Sequence, residues 1–441
     1  MRLSRREALL GAAALALFKR AAAPAAASGA ASGAALRQWY RLVLRLVRHT
    51  ATYSPPVASR AFAYLGVAAY EAVASGSPGL ASLAGQLNGL TSLPVRPAGA
   101  AHDDAVIVHC VLASAVKAFF GNTGPTGQRV LTASEKKLKA EAARGVPAEV
   151  TAQSIAYAEA LSAAILAWSE GDGGAVIENM GFPMDYPLTP GPARWVPTSA
   201  IRQQQAPLLP GWGRNRSFAM PSGSACPVPP PPAYSEEPSS AFYREALEVR
   251  EAVLKLTPEQ EEIARFWSDD PMLSPTPGGH WIAIALDLLE AEKADLARTS
   301  EVLMRLGVAV ADAFIACWNS KFEHDLLRPV TYIRRVIDPA WEPLLITPPF
   351  PEYPSGHSTQ SGAAAAVLGA AFGETFAFTD RTHVRDGLKP RRFASFAAAA
   401  EEAGISRLYG GIHFRSAIVR GLEQGRCVAA HALKLRSRGA T

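Results

Sequence analysis

Cysteine is scarce in this chain. Its four residues, Cys110, Cys226, Cys317 and Cys427, stand far apart, with no C-x-x-C pair and no Cys/His cluster of the kind a zinc site requires. They read as buried thiols, with one disulfide open to them in an oxidising compartment. Charge is also sparse, at 19% of 441 residues against 49% hydrophobic. That balance excludes a disordered chain and a coiled coil and leaves length for a large core or two domains. Alternating apolar and polar residues are nearly absent, no internal repeat is visible, and beyond the N-terminus there is no run of 18 or more apolar residues. The chain therefore reads as all-α and not membrane-integral.

Positive charge is present but misplaced for nucleic acid. The formal net charge is +5, yet Arg2, Arg5, Arg6, Lys19 and Arg20 against Glu7 leave four of those five charges in the first twenty residues. No electrostatic case for a nucleic-acid partner remains. The same segment has the plan of an export leader over residues 1–30: a charged start, an apolar stretch from Ala8 to Phe18, then small residues with A-x-A-like sites. Eleven apolar residues are too few to span a bilayer, which takes roughly 20 in helical form. Ser4-Arg5-Arg6 before a weakly apolar stretch resembles a twin-arginine signal, and Lys19-Arg20 after it disfavours the general secretory route. The expected location is periplasmic or secreted.

Helical periodicity governs the rest. Leu36, Tyr40, Leu44 and Val47 share one face, and Arg37, Arg41, Arg45 and Arg48 form a stripe that reads as a solvated face. Further helices are expected at roughly 58–74, 103–120, 134–168 and 240–254, and Thr257-Pro258-Glu259-Gln260 has the form of a capping box with a first-turn proline. Residues 31–170 thus make an N-terminal helical region. Residues 171–240 hold 14 of the 34 prolines, which makes them an irregular segment. Its large apolar groups, Trp195, Leu208, Leu209, Trp212 and Phe218, argue for a loop that wraps a core and against a flexible linker. Residues 241–441 would form a second helical bundle.

Chemistry concentrates in that bundle. Lys321 and Arg328 are seven residues apart, so on one helix both cations point the same way after two turns, and Pro329 suggests that Arg328 lies at the helix end. Pro354-Ser355-Gly356-His357 precedes an alanine-rich helix, whose first-turn N–H groups and dipole suit a phosphate-like anion. Ser406-Arg407 and His413, separated by Gly410-Gly411, add a guanidinium and a second imidazole. The sum is an oxyanion cradle of three cations and backbone donors from Ser355 and Gly356, with one histidine for the central atom and one for proton transfer.

In this order the three pieces resemble the signature K-x6-R-P, P-S-G-H, S-R-x5-H-x3-D of the vanadium-dependent haloperoxidases and type-2 phosphatidic acid phosphatases. Ten of its eleven fixed positions are met, and the eleventh, an aspartate, is Ala417. The resemblance implies a helical bundle holding vanadate, or phosphate in the same site. His413 would be the axial vanadate ligand or the phosphorylated nucleophile and His357 the acid/base, with Lys321, Arg328, Ser355, Gly356 and Arg407 around the equatorial oxygens. Hydrogen peroxide, a halide and a small organic acceptor would be the partners, Lys321 polarising the oxygen that the halide attacks to give hypohalous acid, and a homodimer follows by analogy. Trp318 and Phe350 match aromatic positions beside the halide pocket of chloroperoxidase-type members. Asp270, with Asp269 in reserve, matches the carboxylate partner of Arg407, and His280 and His324 are candidates to line the entrance. A haloperoxidase is the first reading. An exported acid phosphatase working through a phosphohistidine is the second, and a catalytically impaired member, suggested by Ala417, is the third.

Overall fold

The computed structural model describes residues 25–177, 182–183, 185–199 and 205–438. The leader residues 1–24 lie outside them. Helix α1 (Ala25–Arg48) leads into α2 (Pro55–Ala74), α3 (Asp104–Phe120), α4 (Pro125–Ala142) and α5 (Ala148–Glu170). After the proline-rich segment come α6 (Ala241–Leu254), α7 (Pro258–Phe266), α8 (Thr276–Ala291), α9 (Leu296–His324), α10 (Pro329–Val336), α11 (Gly356–Phe372), α12 (Phe396–Tyr409) and α13 (Arg415–Leu433). Strands β1 (Phe378–Asp380) and β2 (Arg391–Phe393) form a small antiparallel ladder with Phe378 opposite Phe393.

The expected helices form, with local signals setting their ends. Ser240 caps α6 through the Tyr243 N–H, and Thr257 and Gln260 make the reciprocal capping box of α7. The span expected as one helix over 134–168 is two, because Gly145 at φ +76° and Pro147 break it between α4 and α5. By length and composition α5 could cross a membrane; here it buries Tyr157, Leu161, Ile165 and Trp168 and packs on α3. The arginine stripe on α1 is not merely solvated. Arg37 donates to the Ala294 carbonyl (3.0 Å), Arg41 pairs with Asp287 (3.0 Å), and Arg48 reaches Asp386 (2.6 Å), so the stripe pins α1 to neighbouring segments.

Helix α9 is the axis of the molecule, buried along nearly all its length between α2 on one side and α11 and α13 on the other. Its contact with α2 needs glycine: a Cβ at Gly66 would lie 2.8 Å from Met304 Cα, and one at Gly307 would lie 2.7 Å from the Phe62 carbonyl oxygen. The proline-rich segment does wrap this core. Trp195, Leu208, Leu209, Trp212 and Phe218 are all buried. Asp312 of α9 accepts the N–H groups of Phe218, Ala219 and Met220 at 2.6, 2.8 and 2.9 Å, replacing the ladder bonds that an irregular segment lacks. Two of the four cysteines are not thiols: a Cys226–Cys427 disulfide ties the wrapping segment to α13, while Cys110 and Cys317 stay free.

Candidate active site

Helix α9 carries Lys321 in its last turn and stops at Asp325, which takes the left-handed conformation (φ +47°). Arg328 is therefore not on the same helix. It caps the start of α10, with Pro329 at the first helical position, so the turn and not helical phase brings the two cations together. Burial lowers the Lys321 ammonium to about 8 and the Arg328 guanidinium to about 10. Lys321 Nζ donates to the carbonyls of Pro351, Glu352 and Pro354 (2.9, 2.9 and 2.5 Å), so its three donors hold the turn before Ser355. Arg328 donates Nε to the Phe350 carbonyl (2.8 Å) and Nη1 to the Ile412 carbonyl (2.9 Å), while Nη2 is buried with no partner.

Ser355 caps α11 by accepting the Ser358 N–H. Its own N–H is committed to the Ala417 carbonyl (3.0 Å), so the backbone donors expected at this turn start at Gly356, which lines the cavity. His357 shares a hydrogen bond with the Trp267 backbone, which leaves Nε2 buried and unpartnered. Burial, then the nearby Arg407 charge, hold this imidazole well below its ordinary range.

The third segment carries Arg407 in the last turn of α12, turns through Gly411 (φ +76°) and delivers His413. Arg407 donates to Ser406 Oγ (2.9 Å) and the Ala264 carbonyl (3.2 Å), and burial lowers it to about 10. The carboxylate missing at Ala417 is supplied from elsewhere. His413 Nδ1 donates to Glu352 Oε1 (2.7 Å), the same oxygen accepts the Phe414 N–H (2.8 Å), and the Arg328 guanidinium meets His413 Nε2 at 3.2 Å. The tautomer is thereby set: Nδ1 carries the proton, and Nε2 keeps the lone pair that meets Arg328 and that a ligand would take over. Glu352 is fully buried and pushed up to about 8 by desolvation, against the pull of Arg328 and Lys321. Only a lone acid among the aromatics and prolines of P-F-P-E-Y-P-S-G-H marks it in the sequence.

A cavity of about 480 Å³ opens onto this cradle, with Gly356, His357, Arg407 and His413 at its floor and Trp318, Phe314 and Phe350 on its wall. Trp318 and Phe350 are in ring contact (4.9 Å between centroids), and Phe350 also underlies Lys321 and Arg328 at 5.2 and 4.9 Å. Asp270 lines the cavity in the field of Arg407, which offsets part of the burial that raises this carboxyl. Asp269, the larger of the two charges acting on Arg407, also bonds His280 and His383. The entrance histidines are elsewhere: His280 is fully buried between Asp269 and Asp380, and the His324 ring packs on Tyr353 at 5.2 Å.

Arg407 at the cavity floor, the buried Arg328 guanidinium against His413, and the unpartnered Arg328 Nη2 and His357 Nε2 suit a tetrahedral oxyanion, and vanadate fits them. Relatives agree. Residues 301–439 match the family model of the VCPO second helical-bundle domain. A bacterial vanadium-dependent iodoperoxidase of known crystal structure is 38% identical, over 92% of this chain and 97% of that one, with a TM-score of 0.83. A holo-type bacterial vanadium-dependent chloroperoxidase shares the fold at 17% identity (TM-score 0.67; 88% and 93% covered), as does an apo-type one at 15% (TM-score 0.64; 88% and 95% covered). No curated protein matches the chain in sequence. The chain belongs to the vanadium-dependent haloperoxidases. These are peroxidases whose cofactor is vanadate and whose substrates are hydrogen peroxide and a halide.

Proposed function

We propose that His413 Nε2 is the vanadate ligand of this chain and that iodide is its preferred halide. The supporting observation is the Glu352–His413–Arg328 arrangement, which holds Nε2 deprotonated and at the cavity floor. Arg328, Arg407 and the N–H of Gly356 would face the oxygens, and Lys321 would contribute field while holding the 351–354 turn. Bound vanadate supplies a Lewis acid that activates peroxide. His357, neutral through burial, is the group able to take a proton at Nε2 and return it. Trp318 and Phe350 offer an apolar, polarizable wall. A large, weakly hydrated halide loses least on entering it, in keeping with the iodoperoxidase relative.

The Glu352 contact weakens the impaired-member reading that rested on Ala417, since a carboxyl group does orient the imidazole. Export remains our reading of the leader, supported by the disulfide, which suits an oxidising compartment. The test is to load the purified protein with orthovanadate and assay peroxide-dependent oxidation of iodide, bromide and chloride beside p-nitrophenyl phosphate hydrolysis without vanadate. Iodide oxidation should be fastest and His413→Ala should abolish it. Phosphate release without halide oxidation would overturn the oxidative assignment, and chloride oxidation as fast as iodide would overturn the preference.

A further inference from the structure

Beside the cradle, and acting on Arg407 through the charge of Asp269, lies a second buried polar cluster. Asp269 follows α7, His280 sits in the first turns of α8, and His383 follows β1; one donor atom from each lies within 4.8 Å of the others. His280 Nδ1 is 3.0 Å from Asp269 Oδ2, and His383 Nε2 is 3.3 Å from Asp269 Oδ1. The second nitrogen of each ring meets another carboxylate, Asp380 at 2.7 Å from His280 Nε2 and Asp386 at 2.9 Å from His383 Nδ1.

A neutral imidazole carries one N–H. With carboxylates at all four ring nitrogens, each ring has one nitrogen facing a carboxylate without a proton to share. Two additional protons would satisfy the cluster, and so would one divalent cation, at the same total charge. Geometry favours the cation. The two rings stand 4.8 Å apart between centroids, where two imidazolium charges repel, although, against burial, the carboxylates around them raise both histidines above their ordinary range. Asp380 and Asp386 accept the outer N–H of each ring, as carboxylates do behind metal-bound histidines. Zinc bonds of about 2.0–2.1 Å at tetrahedral angles place donor atoms ~3.3 Å apart, close to the separations found between Asp269 and each imidazole. Asp269 also lines the cavity, which gives an ion a way in.

We propose that Asp269, His280 and His383 bind one divalent transition-metal ion of the zinc class, apart from the vanadate cradle. Two imidazoles and a single carboxylate suit zinc better than calcium or magnesium, which favour all-oxygen sets. The ion would tie the segment after α7, whose Trp267 holds His357, to the turn after β1.

The experiment uses the untagged full-length protein, stripped with a chelator and free of vanadate, then equilibrated with Zn²⁺ or with Co²⁺. One zinc per chain by elemental analysis is expected, with visible ligand-field absorption for cobalt and a Tm that rises with metal concentration. His383→Gln, at the margin of the cluster, should cost at least tenfold in zinc affinity while circular dichroism and the Cys226–Cys427 bond are retained. Asp386→Asn should weaken binding less. Failure of the wild-type chain to bind either ion stoichiometrically, or zinc binding by His383→Gln equal to wild type, overturns the proposal and leaves the cluster held by protons.

Discussion

Glu352 is the residue on which His413, the proposed vanadate ligand, depends. Its Oε1 holds His413 Nδ1 and the Phe414 N–H together, so Glu352→Ala removes an acceptor from two buried donors. Vanadate affinity should fall about 10–100-fold, read from reconstitution of the stripped enzyme. Glu352→Gln keeps an oxygen for Nδ1 and should lose far less; equal losses in the two variants would mean that charge, not tautomer, is the contribution. His109 carries a pH prediction. Burial against Trp39 lowers it to about 4 and leaves its Nδ1 unpartnered. A folded pKa below the unfolded value means that stability is present in full above about pH 6.5 and is lost as pH falls toward 4. His109→Leu should flatten the acid side of the Tm profile over that window, and an unchanged profile would remove His109 as its cause. At this scale the sequence read well where partners are local. His357, Arg407 and His413 all reach one cavity. It missed Glu352 because that carboxylate comes from 61 residues upstream of His413, not from the position four residues after it.

Helix α13 crosses α11 where side chains would not fit. A Cβ on Gly425 would lie 2.1 Å from the Thr359 carbonyl oxygen, and one on Gly421 would lie 2.7 Å from Ser358 Cβ and 2.8 Å from the Ser355 carbonyl oxygen. Gly425→Ala should destabilise by about 1–3 kcal/mol, because backbone must move to admit it. Gly421→Ala presses on the turn that presents Gly356 and His357, so its loss should be larger in vanadate affinity than in Tm. Calorimetry beside cofactor titration separates the two, and wild-type values in both would show that the helices can part at little cost. Helix existence followed from period and caps, as Thr257 and Gln260 illustrate. Helix ends were less legible: Gly145 and Pro147 break what reads as one apolar stretch, and Asp325 in the left-handed region puts Arg328 on a new helix.

Across the whole molecule the wrapping segment is held at both chemical extremes, by three hydrogen bonds to Asp312 and by the Cys226–Cys427 bond across 201 residues. Removing a crosslink that closes a loop this long should cost about 2–5 kcal/mol. Cys226→Ser with Cys427→Ser, or reductant on the wild type, should lower Tm accordingly while Cys317 stays unreactive because it is buried. A Tm indifferent to reductant would show that Asp312 and the buried tryptophans suffice.

Composition and helical period were enough to make the chain all-α, and three short motifs were enough to announce a buried anion site, because caps, turns and spacing act over a few residues. Which carboxylate orients His413, which cysteines join, and where Asp269, His280 and the α1 arginines find partners were decided by the tertiary structure. Those pairings bring together residues tens to hundreds of positions apart, and nothing local in the chain carries them.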